Sequence, residues 1–170
     1  MKVKLVSIMI LLLLIHFRAK SQIDTNKISQ NLLYIECLGI GGYGSFNYER
    51  IILTLNNTNI GLRIGISTYK IKDYTTKFNQ DIILPIKINK YYGNKHKIEL
   101  GFGQTISSIV QVNYSNWEPK RVKNLHANFT IGYRYQKDKG GFLFRAGYTP
   151  LIEFYRYYRH WGGISIGYAF

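Results

Sequence analysis

The feature that most constrains this chain is a strict alternation of large apolar residues with small or polar ones. In "NLHANFTIGYRYQ" (residues 124–136), every second residue from Leu125 to Tyr135 is Leu, Ala, Phe, Ile or Tyr, and the residues between them are mainly polar or Gly. Successive side chains of a β-strand point to opposite faces, so this segment predicts one apolar and one polar face. The sequence contains no convincing amphipathic helix, which makes an all-β fold the prediction.

Eight segments carry this alternation, separated by residues typical of turns. They span residues 33–41, 44–53, 60–71, 80–89, 97–110, 124–136, 141–151 and 162–170. Most have about the 9 to 11 residues that a tilted strand needs to cross a membrane. Their less apolar faces are rich in Gly, Ser, Thr and Asn, with single Arg and Glu residues, whereas a water-facing surface would be dense in Lys and Glu. We therefore predict an eight-stranded antiparallel up-and-down transmembrane β-barrel with a crowded polar lumen.

The predicted lumen contains ionisable residues of both signs. A buried charge without a partner costs several kcal/mol, so a closed polar interior requires acids and bases that pair. The polar faces supply three acids and four bases for this network: Glu36, Glu49, Arg63, Lys87, Glu99, Arg134 and Arg145.

The first 21 residues predict a secretory signal peptide. Lys2 and Lys4 precede a mostly apolar stretch over residues 5–17, which is too short to span a bilayer comfortably, and "AKS" offers a cleavage site after Ser21. An N-terminal anchor helix is the alternative. The remainder, residues 22–170, shows no internal linker and predicts a single outer-membrane barrel domain.

Charge and cysteine content exclude several classes of protein. Without its signal peptide the chain has a formal charge of +10, and its basic residues are scattered rather than clustered, which favours anionic lipid headgroups over nucleic acid as the partner. Cys37 is the only cysteine, so an intramolecular disulfide is impossible. The Gly-rich "GIGGYG" (39–44) is similar to a phosphate-binding loop, but no helix follows it, and a tight hairpin is the better interpretation.

The connections between segments differ in length in a regular way. Those over residues 72–79, 111–123 and 152–161 are long, and those over 54–59, 90–96 and 137–140 are shorter. Outer-membrane barrels have long extracellular loops and short periplasmic turns, so the long connections are predicted to be extracellular. The first connection, Gly42-Tyr43, departs from this trend because it is extremely short.

Taken together, the predicted signal, the eight alternating strands, "GFLFRAGYTPLI" and the terminal "GGISIGYAF" resemble the small eight-stranded outer-membrane β-barrels of Gram-negative bacteria, of the OmpX and OmpA transmembrane-domain type. The resemblance covers residues 22–170. It implies an outer-membrane location, contact with outer-membrane lipids and lipopolysaccharide, and a monomeric state. Tyr168 and Phe170 look like the signal that the barrel-assembly machinery recognises in that family.

The predicted function is a structural, adhesive or surface-interaction role for a barrel whose lumen is filled, rather than an open porin-like pore. Neither a cofactor nor a metal site is expected, since the histidines lack ligand spacing. Basic residues in the long loops predict contacts with lipopolysaccharide phosphates: Lys120, Arg121, Lys123, Arg156 and Arg159.

Two alternative functions stay open. The first is an enzyme that modifies lipid A or phospholipid at the barrel rim. Known deacylases of this size have a Ser two residues after a His, whereas His126 is followed by Ala127 and Asn128; a site built from His160 and Glu153 is a weaker candidate. The second alternative is a soluble lipocalin-like barrel that turns its apolar faces inward to bind a ligand.

Overall fold

The computed structural model describes residues 29–72, 79–112, 118–153 and 158–170, with the backbone alone for residues 151–153 and 158–159. The predicted signal peptide and its cleavage site lie outside the described residues. No helix in the described parts of the chain is long and apolar enough to cross a membrane.

The described chain forms one antiparallel sheet. Its strands are Asn31–Leu38 (β1), Gly44–Leu55 (β2), Thr58–Ser67 (β3), Ile82–Tyr92 (β4), His96–Val112 (β5), Pro119–Gln136 (β6), Gly141–Tyr148 (β7), Leu151–Glu153 (β8), Tyr158–Arg159 (β9) and Gly162–Ala169 (β10). Strand β8 continues the line of β7, and both pair with β6. Strand β9 continues the line of β10 in the same way: β10 pairs with β7, and β9 pairs with β8. The sheet thus has eight wall strands, which confirms the predicted number.

The sheet closes on itself because the last strand pairs with the first. Leu32 lies opposite Ala169 and Leu38 opposite Gly163, and β5 pairs with β6 on the far side. Backbone hydrogen bonds continue the seam to Asn31 and Phe170, with N···O distances of 3.0 and 2.8 Å. In the described part of the chain, closure pairs each of the eight wall strands with a neighbour on both sides, which is the requirement for a strand-built structure in lipid. We call the end with Asn31 and Phe170 the terminal end, and the opposite end the loop end.

The barrel has apolar residues outside and polar residues inside. Large apolar side chains cover the outer wall; Phe46, Ile98 and Phe102 are 67%, 63% and 65% exposed. Charged side chains occupy the interior, where Arg63 and Arg134 are 0% exposed. Close to the terminal end, the interior also contains a small apolar cluster: Leu32, Tyr34, Ile51, Tyr91, Leu143 and Ala169. The all-β closed barrel predicted from the alternation is confirmed.

Two hairpins differ from the sequence prediction. Strands β5 and β6 remain paired as far as Val112 and Pro119, because β-branched residues continue the alternation beyond the expected strand ends. Lys120, Arg121 and Lys123 therefore lie on β6 rather than in a loop. Strands β2 and β3 likewise extend further toward each other than predicted, to Leu55 and Thr58, and meet in a short turn at residues 56–57, where Asn56 has a φ of 48°. At its other end β3 stops at Ser67, four residues before the predicted end.

The first hairpin turn folds into the barrel. Residues Gly39–Gly41 form a single 3-10 turn, and Ile40 is 2% exposed within the loop end. The preceding Leu38 has φ 61° and ψ −156°, a backbone conformation found almost only at glycine, which costs about 1–3 kcal/mol. Such a cost persists only where surrounding contacts hold the turn in place.

Candidate functional site

The most distinctive site is a network of buried charges in the barrel interior. It contains all seven ionisable residues that the alternation placed in the lumen, one from each strand from β1 to β7, and none is more than 5% exposed. In chain order these are Glu36, Glu49, Arg63, Lys87, Glu99, Arg134 and Arg145. Ion pairs join all of them.

Glu99 is the centre of this network. The Nε atoms of Arg134 and Arg145 donate to its Oε2 atom at 2.8 and 2.9 Å, and a terminal nitrogen of Arg145 donates to Oε1. The Nζ atom of Lys87 is 3.8 Å from Oε1 and donates a hydrogen bond to Thr130 at 2.9 Å. One carboxylate thus contacts three cations from three other strands.

Glu36 forms a second centre closer to the loop end. Its two carboxylate oxygens accept hydrogen bonds from Arg63 at 3.1 and 2.5 Å, which is a bidentate arrangement. The Nε atom of Arg63 also donates to the side-chain oxygen of Asn47 at 3.0 Å. Arg145 links the two centres, since its Nη1 atom is 3.8 Å from Glu36.

The third acid, Glu49, is bound to Arg134 and to a tyrosine. Both carboxylate oxygens are 2.9 Å from Nη2 of Arg134, and the hydroxyl of Tyr34 donates to Oε2 at 2.9 Å. Gly61 lies beside this contact: a Cβ atom there would be 2.6 Å from Glu49 Oε1 and 2.7 Å from the Tyr91 hydroxyl. Glycine on the inner wall thus makes room for the large polar side chains opposite.

Two tyrosine rings that we did not include in the predicted site stack against the arginines. The guanidinium carbon of Arg134 lies 4.1 Å from the ring centre of Tyr91, and that of Arg145 lies 4.8 Å from Tyr34. A desolvated cation over an aromatic ring contributes about 2 kcal/mol. The period-two pattern does place Tyr34 on the face of Glu36 and Tyr91 on the face of Lys87, so the signal was present in the sequence.

A further ion pair lies at the terminal end. Lys97, which is 1% exposed, donates to Asp138 at 2.8 Å, and the side chain of Asp138 is 47% exposed. Lys97 is two residues from Glu99 and shares its inward face, but we did not include it in the predicted set. Its partner comes from the β6–β7 turn, which alternation cannot place.

Little space separates the interior side chains on the β6–β7–β10 side of the lumen. The cavity there has a volume of about 10 Å³, and its lining includes Glu36, Glu99, Thr149, Gly163 and Ser165. That volume accommodates about one water molecule. Over the described ranges, no group of three or more His, Cys, Asp or Glu residues is arranged to hold a metal ion.

Of the residues considered for an enzyme site, Glu153 on β8 lies opposite His126 on β6. The ring of His160 contacts the hydroxyl of Tyr148 at 2.6 Å, and the side chain of Glu153 is outside the description. His126 faces the interior near the loop end, where its Nε2 atom is 3.4 Å from the hydroxyl of Ser107 on β5. A serine two residues after a histidine is a pattern along the chain, so it does not detect this neighbour on the adjacent strand.

Three of the five predicted lipopolysaccharide contacts lie together on β6, within the described part of the chain. Lys120 and Lys123 are exposed on β6. The guanidinium of Arg121 donates to the backbone oxygens of Gln80 and Ser108 at 3.2 Å, which ties β6 to neighbouring segments. Arg156 lies outside the described residues, as does the side chain of Arg159.

The two residues predicted as an assembly signal both face outward at the terminal end. Tyr168 and Phe170 are 61% and 54% exposed. Tyr168 lies opposite Phe142 on β7 and opposite Leu33 on β1, so it stands beside the seam that closes the barrel.

Comparisons with known proteins identify the fold. The N-terminal β-barrel domain of Pseudomonas aeruginosa OprF matches with a TM-score of 0.55 at 14% identity, over 83% of this chain and 98% of that one. The fold is that of the small outer-membrane barrels. Ail, the attachment invasion locus protein of Yersinia pestis, solved with the heparin analogue sucrose octasulfate, matches with a TM-score of 0.51 at 8% identity, over 82% and 94% of the two chains. No family model matches the sequence, and no curated protein matches it at the sequence level.

Proposed function

We propose that this protein is an integral outer-membrane barrel with a structural, adhesive or surface-interaction role, exported by its signal peptide. The observation that carries the proposal is the reversed polarity of the barrel, with large apolar side chains outside and paired charges inside. A soluble protein with that outer wall would expose an apolar surface far beyond the few hundred Å² that monomers tolerate. An apolar outer wall of this kind is the surface that transmembrane β-barrels present to lipid.

The interior supports a closed barrel rather than an open pore. The arginine and carboxylate side chains of the network cross the lumen between strands that are not neighbours, as with Glu49 on β2 and Arg134 on β6. An ion passing through would have to displace several buried pairs at once. Eight-stranded barrels generally enclose just enough room for their own side chains.

Electrophoresis without heating and planar-bilayer recording test these two statements separately. The folded protein is expected to need detergent for solubility and to migrate differently before and after boiling. In planar bilayers it is expected to give no large, stable ion current. Solubility without detergent would favour the lipocalin-like alternative, whereas a large steady conductance would contradict the closed lumen alone.

Lipopolysaccharide is the partner that the basic residues of the loop end favour. Lys120 and Lys123 are exposed on the extended β5–β6 hairpin, and each Lys or Arg near an anionic membrane surface contributes about 1 kcal/mol. The test neutralises Lys120, Arg121, Lys123, Arg156 and Arg159, with Lys90→Gln as a control at the terminal end. Reduced lipopolysaccharide retention is expected in the fivefold variant alone; unchanged retention would contradict the proposal.

Lipid A modification is the rival function, and one contact favours examining it: the approach of Ser107 to His126. Both side chains face the interior, whereas a lipid substrate would reach the outer wall or the rim. We therefore expect the mass spectrum of lipid A to be unchanged when the protein is expressed. A mass shift that disappears in Ser107→Ala would replace the structural role with an enzymatic one.

A further inference from the structure

The turn over residues 39–43, which we call the lid, does more than join two strands. Hydrogen bonds from Leu38 N to Tyr43 O at 2.9 Å and from Gly42 N to Gly39 O at 3.1 Å define its path. It directs Ile40 into the loop end of the barrel, where the side chain is 2% exposed. The turn also contacts β3, β4 and β10, strands that surround the lumen on more than one side.

The lid is fastened to the opposite wall from below. The hydroxyl of Thr105 on β5 donates to the backbone oxygen of Ile40 at 3.1 Å, across the interior. Gly39 lies directly on the Glu36 carboxylate: a Cβ atom at Gly39 would be 2.5 Å from the carboxyl carbon. Since Gly39 also has a φ of 82°, a larger residue at this position would be both strained and displaced.

Aromatic rings hold the lid from above. The ring of Tyr43 packs edge-to-face against Tyr69 and Trp161, with centroid distances of 5.4 and 6.4 Å. Tyr69 also lies against Gly42, where a Cβ atom would come within 2.3 Å of the ring. These contacts oppose the unfavourable backbone conformation of Leu38, so the closed position depends on the packing of Ile40 and Tyr43.

Polar groups without protein partners lie near the lid. The side-chain oxygens of Asn128 and Thr149 and the indole nitrogen of Trp161 are buried and make no hydrogen bond. Thr149 lines the cavity of about 10 Å³, as do Glu36 and Gly163, the two residues that Gly39 touches. Unpaired buried donors and acceptors of this kind are the groups that bind internal water.

We propose that residues 39–43 are a lid that closes a small hydrated chamber at the loop end of the barrel, and that its outward movement, which also vacates the space filled by Ile40, admits small polar solutes there. Glu36, Glu99 and Arg145 of the ion-pair network line this chamber, so the network forms part of its wall. This inference rests on the proposed closed barrel and names the segment that seals one of its ends. It also explains why the first connection is so short although it lies at the loop end.

Thiol accessibility tests the lid. Thr149→Cys in a Cys37→Ser background places a reporter in the chamber without removing a hydrogen bond, and Lys123→Cys in the same background gives a fully accessible reference. The purified folded barrel is treated with a charged, membrane-impermeant thiol reagent. With the lid intact, the chamber thiol is expected to react about a hundredfold more slowly than the reference, because only the open population is labelled.

Substitution of Ile40 then opens the lid. Ile40→Ser removes the apolar side chain whose burial holds the lid closed. This variant is expected to raise the labelling rate of the cysteine in Thr149→Cys about tenfold or more. Ile40→Val is the matched control and is expected to stay within about twofold of the parent. Equal rates in all three proteins, or a chamber thiol that already reacts as fast as the reference, would overturn the proposal.

Folding of every variant is checked by its migration before and after boiling. Should Ile40→Ser not fold, Thr105→Val removes the hydrogen bond to the lid together with the one that Thr105 accepts from Asn128, and an unchanged labelling rate in that variant contradicts the proposal equally. A protein that is soluble without detergent would refute the proposed membrane function without altering the labelling result. The two hypotheses therefore fail separately.

Discussion

The sharpest prediction concerns Glu99, the carboxylate shared by Arg134, Arg145 and Lys87. Glu99→Gln keeps the shape of the side chain and removes its charge, which leaves two acids facing four bases in the same network. Breaking a buried ion pair by removing one partner costs about 3–5 kcal/mol. Because Glu99 pairs with two arginines at hydrogen-bonding distance, we expect a loss at the upper end of that range.

The measurement is equilibrium urea unfolding of the barrel in lipid vesicles, followed by tryptophan fluorescence and by gel migration without heating. Asp138→Asn is the matched control, because it also removes the acid of an ion pair, but its side chain is 47% exposed. Lys97 is buried in this pair, but the Asp138 carboxylate is in contact with water, so a smaller loss than that of Glu99→Gln is expected. The difference between the two variants therefore measures the effect of burying the acid.

A second substitution tests whether charge balance is the cause. Lys87 is the network cation with the longest contact to its acid, at 3.8 Å. Glu99→Gln combined with Lys87→Met removes one charge of each sign, so the double variant is expected to be more stable than Glu99→Gln alone. The reasoning is refuted if Glu99→Gln destabilises no more than Asp138→Asn, or if the double variant is the sum of its two single losses.

The remaining predictions address the outer wall, the seam and the ionic interior. Ile88→Arg on the outer wall of β4 is expected to cost about 2–4 kcal/mol in vesicles, and Tyr92→Arg at the end of that strand about 0–1 kcal/mol; equal costs would contradict the membrane position of the barrel. Deletion of Phe170 is expected to reduce the folded protein in the outer membrane while detergent refolding still yields a barrel, and unchanged membrane levels would exclude an assembly role. Raising NaCl from about 0.1 to 1 M is expected to leave the urea midpoint nearly constant, because buried pairs are screened much less than exposed ones; a large shift would show that water reaches the network.

Much of the interior could be predicted because the alternation of a strand is a local property. Once Leu33 and Ile35 face outward, Tyr34 and Glu36 must face inward, and the same reasoning placed Arg63 and Arg145 inside the barrel. The same pattern places Tyr34, Tyr91 and Lys97 inside, so the sequence carried the signal for these three residues although the predicted network omits them. Asp138 could not be predicted, because it lies in a turn and not on a strand face.

The lid and the Ser107–His126 contact could not be predicted from the sequence, for a different reason. The residues "GIGGYG" indicate a tight turn, but the direction in which it folds depends on the space above Glu36 and on Thr105, which lies 65 residues away from Ile40. Ser107 and His126 are brought together by the pairing of β5 with β6. Neither relation has a signature in the local sequence.

The sequence by itself therefore determined the all-β class, the number of wall strands and the face on which each charge lies, because the two-residue period of a strand decides all three. Only the tertiary structure decided which acid meets which base, since Glu99 on β5 and Arg145 on β7 are neighbours through closure of the sheet and the register of the intervening strand. Closure likewise turned the short first connection into a buried segment. Local periodicity determines orientation, whereas register around a closed barrel determines contact.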